Sequence, residues 1–427
     1  MTDRTARPRA RFLAALAAGT AAVIALSGCT LIEELTATGV DEGGDDGMVL
    51  VDESTAPDAL GFFEQEIDWQ ACDASLTAPE DYECATVQAP MDWSAPGERD
   101  PIDLFLVKRP ADGASQGTLF TNPGGPGASG ADFVAMSADY FFSADLRENY
   151  DIVGWDPRGV GRSSAVECRD DEGMDDYFYG VPDGADSMTP EEWNEWGVEQ
   201  AIAFGRDCAM NTGELLGFVD TASTVQDLDL LRALVGDTKL AYFGLSYGTD
   251  IGAQYIDRYP ERVGRIVLDG ATDPTVPMFD VVIDQQQKFG DATRNYLRDC
   301  FSSADCPYRS TDVDGAIAEM QAVMDEVDRT LPKNHDGRVL TSGVVQMAIT
   351  VSMYDSSSWQ YLSMAFADWF DSADPQLFFL LSDSYYGRDM DGHYDSNMFE
   401  AFAAINCLDY PLITDPDAIR DFHERLE

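Results

Sequence analysis

Gly244-Leu245-Ser246-Tyr247-Gly248 has the G-x-S-x-G spacing that lets a serine act as a nucleophile. It stands between an apolar, strand-like run at residues 239–243 and a helix-like run at 250–259. Two glycines permit the tight strand-to-helix turn that lifts the hydroxyl out of a sheet, and the following helix aims its first N–H groups at the same spot. A glycine-bounded turn with an idle serine is the blander reading. It explains neither this framing nor a second glycine-rich loop upstream. That loop, Asn122-Pro123-Gly124-Gly125-Pro126-Gly127, directly follows the apolar run 117–121. Serine acyl transfer needs hydrogen-bond donors where the tetrahedral oxyanion forms. One donor comes from the residue after the nucleophile, Tyr247, and the other from a glycine loop after an early strand: Gly125, with Gly124 the alternative. Glycine serves there because a side chain would keep the backbone from the substrate carbonyl. A plain Pro/Gly turn is the competing reading. A phosphate cradle is disfavoured, because no Gly-Lys-Ser/Thr follows.

The elements that must position these loops are legible as alternation of strands and helices. Residues 102–108 alternate apolar and polar as an edge strand would, while 119–121, 152–155, 240–243 and 266–268 read as short buried strands. The clearest helix is 224–235, with Val225, Leu228, Leu231 and Leu234 on one stripe. Thr224 would cap it with Asp227 three residues on, and Gly236 would close it. This pattern predicts a mostly parallel α/β sheet. From 275 to about 400 the pattern changes: 316–327 and 344–353 have helical spacing, separated by Asp- and Ser-rich loops. Aromatic residues are dense here (Tyr354, Trp359, Tyr361, Phe366, Trp369, Phe370, Phe378, Phe379), which fits either a substrate cleft or a core of its own. No internal repeat is evident.

Three motifs occur in order: the 122–127 loop, Trp155-Asp156-Pro157-Arg158-Gly159-Val160-Gly161-Arg162-Ser163, and Gly244-Leu245-Ser246-Tyr247-Gly248-Thr249. In this the chain resembles the secreted actinobacterial tripeptidyl-aminopeptidase branch of the prolyl-aminopeptidase-like α/β-hydrolases. The resemblance runs from about residue 67 to 273 and resumes at Ala404-Ile405-Asn406-Cys407-Leu408-Asp409. It implies an α/β-hydrolase fold with a core at 61–274, a helical lid at 275–400, and a return to the core beginning at 401–427. It also places Asp156 and Arg158 near the oxyanion loop, where an ion pair between them would brace it. Direct catalysis by Asp156 is the lesser reading.

A nucleophilic serine needs a base, and in α/β-hydrolases the order along the chain is Ser, then Asp or Glu, then His. His335, His393 and His423 are the three available, the first two in turns of the lid and the third on a short polar helix. None follows a buried strand end, where the base belongs. The resemblance implies instead that the catalytic Asp and His lie in a segment after the 404–409 motif, about 60 residues at ~30 per strand–helix unit. On this reading the sequence is C-terminally truncated, the last sheet strands are missing, and the fragment alone is inactive. The strand ending near Asp269 would then expose an apolar edge.

Arg4, Arg7, Arg9 and Arg11 precede an uncharged Ala-rich stretch at 12–26, fifteen residues and so short of the ~20 that span a bilayer. It reads as a signal peptide, residues 1–28. Leu26-Ser27-Gly28-Cys29 resembles a bacterial lipoprotein cleavage box, which makes Cys29 a lipidated N-terminus, with an ordinary secretory signal the alternative. Residues 29–60 then form a flexible acidic tether, too poor in large apolar groups to fold. Seven further cysteines argue for disulfides in an exported protein. Proximity in sequence pairs Cys72 with Cys84, Cys168 with Cys208 and Cys300 with Cys306, leaving Cys407 without a partner. A zinc site is a poor alternative, since no C-x-x-C occurs. No metal or organic cofactor is implied.

Asp and Glu number 78 against 27 Lys and Arg, a net charge of −51. Such a chain repels phosphate backbones, so nucleic-acid binding is excluded. The acidity could suit a salty habitat or cationic peptide N-termini, or be simply a solvated surface. Together these readings describe an exported, lipid-anchored serine exopeptidase that releases short peptides or amino acids from free N-termini. It would sit on the outer face of the cytoplasmic membrane or be released from it. An esterase of the same fold and a non-catalytic surface-binding lipoprotein with a degenerate hydrolase fold are the alternatives.

Overall fold

A computed structural model describes residues 59–426. The signal-like segment, Cys29 and most of the acidic tether lie outside the described residues. Seven strands form one sheet: β1 (Gln70–Ala71), β2 (Glu83–Ala89), β3 (Ile102–Arg109), β4 (Thr118–Asn122), β5 (Asp151–Trp155), β6 (Leu240–Leu245) and β7 (Val263–Asp269). Their spatial order is β1-β2-β3-β5-β4-β6-β7. The four strands around the glycine loop and Ser246, β5-β4-β6-β7, run parallel, and β1, β2 and β3 join antiparallel.

Period-2 alternation divides the sheet residues between two cores. Phe120, Val153, Trp155 and Tyr242 face one side, and Leu119, Val107 and Ile152 the other. Helix α1 (Leu60–Phe63) leads into the sheet, and α2 (Gly130–Phe141) covers the second side with Ala131, Val134, Ala135 and Ala138. Helix α3 (Ala144–Asn149) leads into β5. Helices α4 (Asp171–Tyr179), α5 (Pro190–Thr212), α6 (Thr221–Leu234) and α7 (Gly248–Arg258) contribute Met174, Phe204, Leu228 and Ile251 to the first.

Beyond β7 follow α8 (Met278–Cys300), α9 (Val313–Thr330), α10 (Ser342–Ser352), α11 (Trp359–Ser372) and α12 (Gln376–Tyr386). They close on a separate core that includes Leu297, Val327, Val345, Phe366, Trp369, Phe378 and Phe379. The chain then returns through α13 (Met398–Asp409), whose Ala401, Ala404 and Ile405 belong to the main core, and ends the described region in α14 (Pro416–Leu426). Tyr179 on α4 also enters the lid's core, and Arg388 makes a forked ion pair with Asp175. Residues 171–212 therefore tie core to lid, a role their mixed sequence does not advertise.

Several expectations need correction. The 102–108 strand is not an edge: β3 pairs with both β2 and β5, and its alternation records one open face rather than one open side. The 266–268 strand is not buried, because β7 is the sheet margin among the described residues. Ile266 and Leu268 pack on the main core while Val267 on the opposite face is 51 % exposed. Helix α6 starts before Thr224: Asp220 is its cap, accepting from Ser223 N, because residues 221–223 carry no part of the apolar stripe that marked the helix. Of the two readings open for the aromatics after β7, Phe366, Trp369, Phe378 and Phe379 take the core one. The three proximal disulfides form as expected. Cys407 is disulfide-bonded as well, and no described cysteine is free, so it is not left over; pairing by sequence proximity could not see this.

Helix α2 approaches β5 through two glycines. A Cβ on Gly154 would stand 1.9 Å from the Gly130 carbonyl oxygen, and one on Gly130 would stand 2.3 Å from that of Trp155. Backbone atoms on both sides leave nothing flexible to yield. Gly154→Ala is therefore expected to destabilise the protein by about 1–3 kcal/mol, read as a lower urea midpoint; an unchanged midpoint would contradict this packing.

Candidate active site

Ser246 sits at the turn between β6 and α7 with φ of +51°, one of three non-glycine residues with positive φ among those described. Glycines on either side make the turn possible by contact. A Cβ on Gly244 would stand 2.3 Å from the Gly248 carbonyl oxygen, and one on Gly248 would stand 2.5 Å from that of Asn122. The turn is pinned from below as well: Ser246 N donates to the Asp269 carbonyl (3.0 Å), and Thr249 Oγ1 donates to the Ser246 carbonyl (2.6 Å). The side chain of Ser246 stays exposed, and its hydroxyl has no hydrogen-bond partner among the described residues.

The glycine loop lies against this turn. A Cβ on Gly124 would stand 3.0 Å from both Ser246 Cβ and Tyr247 N. Gly124, Gly125 and Gly127 all have positive φ, between 93° and 108°, which glycine adopts without strain. Gly124 N donates to Asn122 Oδ1 (2.9 Å), so this donor is engaged within the loop. The N–H groups of Gly125 and Tyr247 have no acceptor among the described residues. An exposed serine hydroxyl thus stands beside a loop and a turn that each present an unengaged N–H, the local arrangement that acyl transfer uses.

Asp156 and Arg158 do not pair with each other. Asp156, fully buried, accepts from the Ser129 hydroxyl, from Ala131 N (3.2 Å) and from Arg162 N (2.8 Å). It thereby holds the start of α2, where the glycine loop ends, against the loop that follows β5. Burial pushes its carboxyl up to about 6, against the pull of those hydrogen bonds. Arg158 instead forks onto Asp227 of α6 with two contacts of 2.7 Å, and its remaining N–H groups donate to the carbonyls of Met91, Phe218 and Pro90. Trp93 Nε1 completes the cluster on Asp227 (2.9 Å). The expected pair fails because Asp227, read as a capping residue, is the buried carboxylate with matching geometry.

None of the three histidines bonds to Ser246. His335 lies in a hairpin turn bridged at Lys333 and Val339, and His423 lies on α14, which packs on α8. His393 holds Asp171 at 2.8 Å, and that carboxylate raises its pKa above the ordinary value. Between glycine loop and lid lies a cavity of about 740 Å³, walled by Gly127, Ser129, Phe178, Tyr386, Phe399 and Glu400 among others; Ser246 is not in its wall. Among the described residues no group of three or more His, Cys, Asp or Glu is placed to hold a metal ion. What the motifs did not reveal is Thr221, which bonds the Tyr247 hydroxyl and the Asp409 carboxylate.

A sheet of this order, with a serine on a glycine-bounded strand-to-helix turn, defines a hydrolase class. Residues 117–336 match the α/β-hydrolase fold family, and the chain belongs to it. The chain is 33 % identical over 373 residues to the serine protease Hip1 of Mycobacterium tuberculosis, covering 84 % of this chain and 70 % of that protein. It is 34 % identical over 341 residues to carboxylesterase B of the same organism, covering 78 % and 64 %. It is 35 % identical over 213 residues to a tripeptidyl aminopeptidase of Streptomyces coelicolor, covering 49 % and 38 %.

The Arg158–Asp227 pair is wholly buried. Removing one partner strands a charge, which typically costs about 3–5 kcal/mol. Arg158→Met is expected to lose stability in that range by denaturant unfolding, and Arg158→Met with Asp227→Leu to recover most of it. A single variant as stable as the parent would remove the pair from the account.

Proposed function

We propose that the protein is an exported serine exopeptidase that releases short peptides or amino acids from free peptide N-termini, with Ser246 as nucleophile. The observation that carries this reading is the exposed, left-handed Ser246 beside the unengaged N–H groups of Tyr247 and Gly125. Ser246 Oγ would add to the scissile carbonyl carbon. The carbonyl oxygen, taking the negative charge, would accept from Tyr247 N and Gly125 N. The C–N bond then breaks, the amine leaves with a proton, and water releases the acyl group from Ser246. Three features support the finer parts of the reading. The relatives include one named as a tripeptidyl aminopeptidase and one named as a serine protease. The disulfides fit an oxidising, exported setting. The net charge of −51 favours approach of a cationic amine. Cys29, outside the described residues, would carry the lipid that holds the protein at the membrane; two acyl chains give stable anchoring where one does not.

Esterase activity on the same serine is the second reading, favoured by the relative named carboxylesterase B. Full-length protein treated with a fluorophosphonate is expected to be modified at Ser246 and nowhere in Ser246→Ala. Free aminoacyl-, prolyl- and tripeptidyl-coumarins are expected to turn over faster than N-blocked versions and short-chain esters. Faster turnover of blocked peptides would make it an endopeptidase, and faster turnover of esters an esterase. Unmodified Ser246 would end the nucleophile assignment.

A further inference from the structure

The Ala404–Asp409 stretch carries a carboxylate with no part in the chemistry above. Asp409, the last residue of α13, reaches the first turn of α6, where it accepts from Thr221 N (2.8 Å) and Thr221 Oγ1 (2.5 Å). Thr221 Oγ1 also bonds the Tyr247 hydroxyl. An ionised carboxylate only accepts, and a threonine hydroxyl has one proton to give. Thr221 must therefore donate to Asp409 and accept from Tyr247. The hydroxyl chain runs one way, from the residue after the nucleophile to the helix that returns from the lid.

We infer that Asp409 is a positioning residue for the oxyanion donor. Through Thr221 it fixes the Tyr247 side chain, and with it the direction of the Tyr247 N–H. This rests on the role proposed for Tyr247. Thr221 is buried, so its two side-chain bonds have no competition from water. Asp409 keeps one side open to solvent and is walled by protein elsewhere. The charged groups facing it are Asp220, which caps α6, and Asp250 of α7; Tyr247 and Tyr410 are the nearby phenols. Loss of water, with the two carboxylates adding to it, raises Asp409 to about 6 although Thr221 pulls the other way. The chain is thus directed above about pH 6 and loses its direction as pH falls through that value.

Asn in place of Asp409 keeps the shape and reverses the polarity, since its amide would donate to Thr221. The test uses full-length protein, following the rate of fluorophosphonate modification of Ser246 together with kcat and KM on the preferred substrate. Asp409→Asn and Thr221→Val are each expected to lower kcat and the modification rate about tenfold with KM within about twofold, as small misplacements of a catalytic group do. Thr221→Ser, which keeps the hydroxyl, should restore the rate. Tyr247→Phe combined with Asp409→Asn should be no slower than either alone, because all three act as one chain. The ratio of wild-type to Asp409→Asn modification rates should shrink as pH falls through about 6; taking the ratio cancels any base the two proteins share. With wild type modified at Ser246, a ratio independent of pH, or a Thr221→Val as fast as wild type, would overturn the positioning role alone. No modification of wild-type Ser246 would overturn it together with the proposed function.

Discussion

A serine at φ of +51° is held in a conformation that L residues occupy at a cost on the order of 1–3 kcal/mol. It persists here because the surroundings leave no alternative. The backbone of β6 touches that of α7 at Gly244, and α7 touches β4 at Gly248, at distances no side chain would tolerate. The flanking strand and helix are therefore locked at close approach, and of the two residues between them, Ser246 and Tyr247, Ser246 takes the left-handed turn. Its carbonyl and amide are bound on both sides, to Thr249 and to Asp269. What remains free is the hydroxyl, and beside it the N–H of Tyr247.

The rest of the molecule can be understood as support for that turn. β4 ends in Asn122, whose side chain holds Gly124 N, so the loop that meets Ser246 is shaped by the strand that packs against the turn. Asp156 holds the far end of the same loop at the start of α2, while Arg158 and Asp227 fasten the segment after β5 to α6. Helix α6 in turn presents Thr221 to Tyr247. The helices after β7 close on an apolar core of their own, joined to the main one by Phe178 and Tyr179 of α4, by the Arg388–Asp175 pair and by α13.

Residue chemistry that acts locally was legible in the sequence. Glycine spacing around Ser246 reports a tight turn wherever it occurs, and short apolar runs between helical stripes report a parallel sheet. Cysteines close in sequence pair because short loops close easily. What escaped was long-range. Asp156 and Arg158 stand two apart and carry opposite charges, so the sequence invites a pair, yet Arg158 finds its partner 69 residues on in Asp227. Asp409 lies 188 residues from Thr221, with nothing in either neighbourhood to signal the contact. The edge position of β7 and the interior position of β3 depend on strand order, which burial alternation does not encode.

The proposed chemistry rests on geometry: Tyr247 N–H and a glycine-loop N–H must converge where an oxyanion on Ser246 would form. A crystal structure of the full-length protein phosphonylated at Ser246 measures this directly, since the phosphoryl oxygen stands in for the oxyanion. The account requires that oxygen within about 2.7–3.1 Å of both Tyr247 N and Gly125 N. A phosphoryl oxygen turned to solvent, or held by side chains while those two N–H groups bond elsewhere, would contradict it.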